Sequence, residues 1–170
     1  MSFSNKKNTV IILFGVSGCG KTTIAKLLSE KLALPRYDAD NFHPQANIDK
    51  MRNGIALEDK DRLPWLNILA DRLQLWEQNG GAILACSALK EAYRKILGSK
   101  VIHIHWVLLS GSLQLISSRM KSRTTHFMPV SLLQSQFDAL EIPDYGLKVT
   151  IDQDPEAIVN TILTKLNAYE

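Results

Sequence analysis

Short apolar runs alternate along this chain with segments of helical period. Val10-Ile-Ile-Leu-Phe14 is continuously apolar and predicts a buried strand. From Lys21 to Ala33 the apolar positions Ile24, Ala25, Leu27, Leu28 and Leu32 share one broad helical face, and Pro35 ends the helix. Arg36 to Asp40 reads as a short second strand ending in acids, and Pro44 to Gly54 as a short helix with its loop. Leu63 to Gln78 predicts a longer helix with Pro64 in its first turn and Asn79-Gly80-Gly81 at its end. Ala82 to Cys86 is another buried strand, and Leu89 to Leu97 a helix. Val101 to Leu109 predicts a strand, Ser112 to Lys121 and Ser131 to Glu141 helices, Leu147 to Ile151 the last strand and Pro155 to Ala168 the last helix.

Strands separated by helices imply an α/β fold, a three-layer α/β/α arrangement around a mostly parallel five-stranded sheet with right-handed crossovers. Ligands of such sheets bind beyond the carboxyl ends of the strands. The 170 residues form one expected domain, 1–170, with 45% apolar and 22% charged residues, which excludes a disordered or fibrous chain. No apolar run approaches the roughly 20 residues that span a bilayer, and Met1 to Asn8 lack the features of a signal peptide, so no membrane role is expected. Cys19 and Cys86 make neither a disulfide framework nor a zinc spacing, and a reduced, cytoplasmic setting is the expectation. A net charge of +3 without a block of like charges does not point to nucleic acid, but it suits a small anionic substrate.

Directly after the first strand stands Gly15-Val16-Ser17-Gly18-Cys19-Gly20-Lys21-Thr22, followed by Thr23 and a helix. It fits the phosphate-loop pattern of two glycines separated by four residues, the second followed by Lys-Thr. Glycines let the backbone approach phosphates, successive N–H groups form an anion nest, and the following helix points its positive end at the ligand. The phosphates of a nucleotide are the expected ligand. Lys21 would reach the β- and γ-phosphates, and the Thr22 hydroxyl would serve Mg²⁺. An Asn-Lys-x-Asp guanine motif is missing, and the later strands end in Cys86-Ser87 and Ser110-Gly111 rather than in an acid.

Metal and base carboxylates must then come from elsewhere. Asp38 and Asp40 are two apart at the end of the second strand, a spacing that in extended chain aims both the same way. One would hold Mg²⁺ through water, the other orient or deprotonate an attacking hydroxyl. Arg119 and Arg123 are four apart and share a helix face. The pattern loosens at Thr124-Thr125-His126 and resumes at Pro129, which predicts a helical lid over about 119–137 that carries cations and excludes water.

Further blocks are more specific. Asp38-Ala-Asp-Asn-Phe-His-Pro44, Asn47-Ile-Asp-Lys-Met51, Asp59-Lys-Asp-Arg-Leu-Pro-Trp-Leu66, Cys86-Ser-Ala-Leu-Lys90 with Tyr93-Arg94, and His126-Phe-Met-Pro129 with Gln134-Ser-Gln-Phe137 occur in order. Together they resemble the gluconokinase family, compact relatives of shikimate and adenylate kinases. The resemblance covers about Val10 to Pro143. It implies ATP- and Mg²⁺-dependent phosphorylation of D-gluconate to 6-phospho-D-gluconate by a cytoplasmic homodimer. It would place Asp40 on the accepting hydroxyl, with Lys21 and Arg123 completing the catalytic set, and Asp38 with Thr22 nearer the metal. His43, Lys50, Arg62, Lys90 and His126, mostly within a substrate segment of about 38–66, would line the sugar-acid site. Arg119 would lie near the adenine or β-phosphate and Arg123 near the γ-phosphate. The chain departs from the family at Ala39 and Thr125, where glycine is common.

The residues themselves leave other readings open. His43 can cap a helix, Arg62 can pair with Asp59 or Asp61, and Lys50 and Lys90 can be solvated helix lysines. Trp65 suits packing better than ligand contact. His103 and His105 alternate along a strand and suit its surface. A kinase of another small acid such as shikimate, or of a nucleotide, and a nucleotide-dependent binding or switch module are the competing functions.

Overall fold

All six residues of β1 (Thr9–Phe14) are buried, because this strand takes the middle of a parallel sheet covered on both faces. A computed structural model describes residues 8–122 and 130–168. After β1 come α1 (Lys21–Leu32), β2 (Arg36–Asp38), α2 (Gln45–Arg52), α3 (Asp59–Gln78), β3 (Gly81–Ala85) and α4 (Glu91–Gly98). Then follow β4 (Ile104–Ser110), α5 (Leu113–Lys121), α6 (Val130–Ala139), β5 (Leu147–Thr150) and α7 (Pro155–Ala168). The strand order is β2-β3-β1-β4-β5, and every pairing is parallel, where a mostly parallel sheet was expected.

Alternation along each strand divides the core. Ile11, Leu13, Ile83, Val107 and Leu109 pack with Ile24 and Leu28 of α1 and Ile158 and Ile162 of α7. Val10, Ile12, Phe14, Leu84 and Leu108 pack with Trp65, Leu69 and Leu73 of α3 and Leu97 of α4. The expected three layers are therefore present. Among the described residues no helix is long and apolar enough to cross a membrane.

Several boundaries differ from the sequence reading, and three of them have a visible side-chain cause. The second strand stops at Asp38, and Ala39–Phe42 forms a 3-10 turn. The Asp38 carboxylate accepts the Asp40 N–H at 2.9 Å, so the two acids do not alternate along extended chain. The short polar side chain competes with the strand ladder for a backbone donor and wins. The long helix starts four residues before Leu63, at Asp59, because Asp61 accepts the Glu58 N–H at 2.9 Å and closes its first turn. Pro64 thus lies inside α3 rather than at its start. The fourth strand starts at Ile104, after His103. The buried Glu77 carboxylate accepts the N–H groups of Ile102 (3.0 Å) and His103 (2.6 Å), which holds that segment out of the ladder.

The loop between β3 and α4 is held by one buried cation. Arg94 donates to the carbonyls of Ala88 (2.7 Å), Leu89 (3.0 Å) and Glu141 (2.6 Å), and pairs with Glu91 at 3.0 Å. Ala88 is left-handed, with φ 41°, a conformation costly for a residue with a Cβ. The guanidinium fixes this loop and ties it to the chain after α6. We expect Arg94→Met to orphan these carbonyls and lower unfolding free energy by about 3–5 kcal/mol, read from the urea midpoint. A shift below about 1 kcal/mol would remove Arg94 from this role.

Candidate active site

The site begins where β1 turns into α1. Gly15 (φ +146°) allows a close passage, since a Cβ there would lie 2.7 Å from the Leu109 carbonyl oxygen. Gly20 precedes α1 at φ +96°, with open space where its Cβ would be. A niche of about 90 Å³ is lined by Gly18, Gly20, Lys21, Thr22 and Thr23. Backbone donors at a helix N-terminus, an ammonium and two hydroxyls, with no acid among them, suit an anion such as phosphate. The Lys21 ammonium donates to the carbonyls of Gly15 (3.0 Å) and Val16 (2.9 Å), folded over its own loop. Val16 and Cys19 are buried, whereas Ser17 is half-buried.

Two clefts lie near this end of the sheet, and the first of them opens from this loop. One, of about 500 Å³, runs past Gly18, Cys19, Gly20 and Thr23 to Arg119 and to Asp152, Gln153, Asp154 and Pro155 after β5. Arg119 is anchored by a hydrogen bond to the Ile151 carbonyl at 2.5 Å. The other, also of about 500 Å³, is lined by Asp40, His43, Arg62, Trp65, Lys90 and Tyr93, and by Leu132, Ser135 and Gln136 of α6.

Asp40 lines the second of them. It is open to the second cleft but walled by protein, and the lost hydration raises its pKa above the ordinary carboxylate value. The neighbouring Asp38 raises it further, while His43 and Lys21 pull it down. The loop cation and the acid thus share one electrostatic field, Lys21 being the weakest of the four influences on Asp40. Cys86 lies in the same field at the end of β3. Burial pushes its thiol up to about 12, so it stays neutral, and Lys21, Asp40 and Asp38 all act on it.

The predicted cations separate. Arg62 and Lys90 line the cleft. Lys90 pairs with Asp59 at 3.1 Å, and the Tyr93 hydroxyl donates to the same carboxylate. These hydrogen bonds, Tyr93 first and then Lys90, hold Asp59 below its ordinary pKa. Arg62 donates to the Leu57 carbonyl at 2.7 Å and lies 4.0 Å from Asp59, so the ion-pair and cleft readings of it both hold. Lys50 is not among the residues lining this cleft; its ammonium pairs with Asp61 at 2.7 Å, which makes it a brace between α2 and α3. His43 lines the cleft and is also the C-cap residue of the 3-10 turn Ala39–Phe42, while Pro44 and not His43 caps α2. Trp65 is buried, stacked on His43 with ring centroids 4.3 Å apart, and its indole N–H donates to the Ala39 carbonyl at 2.8 Å. Arg123 and His126 lie outside the described residues.

A family model described as "Shikimate kinase" matches residues 17–143. The gluconokinase of Arabidopsis thaliana is 44% identical over 170 residues, covering 91% of this chain and 90% of that protein. The thermosensitive gluconokinase of Escherichia coli is 48% identical over 133 residues, 78% of this chain and 71% of the relative. A crystal structure of a gluconokinase from Sinorhizobium meliloti superposes with a TM-score of 0.87 at 36% identity, covering 97% of this chain and 95% of that one.

The chain belongs to the gluconokinase family. It is a kinase, and kinases of this family use ATP. In this gluconokinase-family chain the cleft has a wall that the spacing of charges did not reveal. Gln136 of α6 accepts the Ser17 N–H at 2.7 Å and donates to the Ser17 hydroxyl at 3.0 Å, so α6 is clasped to the phosphate loop. Tyr93 and Gln136 both stand in the sequence blocks quoted above, yet neither carries a charge or a spacing that announces its contact. We expect Gln136→Leu to speed hydrogen exchange of the Ser17 amide about fivefold, the equivalent of one hydrogen bond, with the melting midpoint little changed. Unchanged exchange would mean that α6 does not hold the loop.

Proposed function

We propose that this chain transfers the γ-phosphoryl group of ATP to the terminal hydroxyl of D-gluconate, giving 6-phospho-D-gluconate and ADP. The observation that carries the reading is the cleft that gathers Asp40, His43, Arg62 and Lys90, with Asp40 in the electrostatic reach of Lys21. An open-chain sugar acid needs cations at its carboxylate end and a base at its alcohol end. Arg62 offers a fork to a carboxylate, and Lys90 a point charge.

Asp40 receives the proton of the terminal hydroxyl as that oxygen bonds to the γ-phosphorus and the bond to the β-γ bridging oxygen breaks. Its raised pKa strengthens it as a base. Lys21 and the loop amides from Gly18 to Thr22 offset charge on the phosphates. Thr22 and Asp38 would hold Mg²⁺, which supplies further charge neutralisation there. Among the described residues no group of three or more His, Cys, Asp or Glu forms a metal cage, and this suits an ion that keeps its waters and shares phosphate oxygens. Arg119 borders the nucleotide cleft, and Arg123 and His126 belong to the lid that the reading places over the phosphates. Family membership supports a cytoplasmic homodimer.

With ATP and an ADP-coupled readout we expect turnover of D-gluconate and not of shikimate or a nucleoside monophosphate; the reverse pattern would replace the substrate assignment. Asp40→Asn should lower kcat about 10²–10⁴-fold with melting and ATP affinity retained. Since only the carboxylate form accepts a proton, kcat/KM should fall as pH drops through the raised Asp40 pKa, at a pH above the ordinary aspartate value of about 4. An acid limb that persists unchanged in Asp40→Asn would assign it to another group.

A further inference from the structure

One buried carboxamide determines which proton His43 carries. Asn47 lies in the first turn of α2 and is 4% exposed. Its Nδ2 is 2.9 Å from the carbonyl oxygen of Asp61. A carbonyl only accepts, so the atom facing it is the amide nitrogen and not the amide oxygen. The same Nδ2 is 3.2 Å from Nδ1 of His43. A carboxamide nitrogen has two hydrogens, one for each partner. His43 Nδ1 must then present its lone pair, and the ring proton sits on Nε2.

The surroundings hold this arrangement. The Asp61 carbonyl is fixed because its carboxylate is pinned by Lys50 at 2.7 Å and by the Glu58 N–H at 2.9 Å. The imidazole is held flat on Trp65, with 15° between planes. A doubly protonated ring would set an N–H against the Asn47 N–H. Burial and Arg62 also disfavour the cation, against an opposing pull from Asp40.

We propose that Asn47 is a positioning residue that locks His43 as the neutral Nε2–H tautomer, so that His43 donates to a sugar-acid oxygen while Asp40 alone accepts the hydroxyl proton. The opposite tautomer would place a second acceptor beside Asp40 and compete for that proton. This deepens the gluconate reading and rests on it.

The test pairs a spectrum with kinetics. ¹⁵N imidazole NMR of the intact protein at neutral pH, with the His43 signal assigned by its loss in His43→Gln, should show Nδ1 bare and Nε2 protonated. Asn47→Asp, which offers an acceptor, should move the proton to Nδ1 and lower kcat/KM for gluconate roughly 10- to 100-fold, with KM for ATP unchanged. His43→Gln keeps an N–H donor near the Nε2 position, so Asn47→Asp should cost much less in that background. A wild-type spectrum with Nδ1 protonated overturns the proposal. So does an Asn47→Asp variant with both the spectrum and the gluconate kinetics unaltered, or one whose loss is as large in the His43→Gln background. The wild-type spectrum decides the tautomer even if Asn47→Asp does not fold. Because it needs no substrate, it separates failure of the tautomer from failure of the gluconate reading.

Discussion

An alcohol becomes a nucleophile toward phosphorus only where a base and a phosphate-binding cation reach the same small volume without quenching one another. In the proposed reaction the fold would meet this constraint at the carboxyl edge of its parallel sheet. The central strand β1 delivers Lys21, and its neighbour but one, β2, delivers Asp40, with the end of β3 between them. Cys86 at the end of β3 is small, buried and neutral, so it adds no third charge to the field of Lys21 and Asp40. Lys21 directs its hydrogen bonds to carbonyls of its own loop, and Asp40 keeps a raised pKa despite the nearby cation. The result is a cation and a base that interact but are not consumed in an ion pair.

The rest of the second cleft serves that meeting. Arg94 holds the left-handed Ala88 loop and joins it to Glu141 beyond α6. At its other side α6 clasps Ser17 through Gln136. Helix α6 and the residues just after it therefore touch both the phosphate loop and the loop that carries Lys90. On the opposite wall, Trp65, His43, Asn47 and Asp61 form a chain of stacking and hydrogen bonds that ends at the face where Asp40 stands. Lys50 enters through this chain, as the partner of Asp61, and not as a direct lining of the cleft.

Much of this was legible in the residues because periodicity and glycine chemistry are local. The phosphate loop and the layered fold follow from apolar runs and from glycines that take positive φ without strain. The misread boundaries have local causes too, but weaker ones. Asp38 turns the chain by capping the Asp40 N–H, and Asp61 starts α3 ahead of a proline that looked like its first turn. What was not legible depends on contacts distant in sequence. Nothing near Gln136 predicts that it reaches Ser17, and nothing near Asn47 predicts that it meets both Asp61 and His43. Candidate cations could be named, but which acid each would pair with is a property of the packed helices.

The most direct test of a shared cleft is a bisubstrate ligand, adenosine joined to the terminal oxygen of gluconate through a chain of phosphates. Steady-state inhibition should be competitive against ATP and also competitive against gluconate, because a single molecule fills both arms and passes between Lys21 and Asp40. Inhibition competitive with ATP that leaves the KM for gluconate unchanged would show that the two sites do not meet, and would contradict the account.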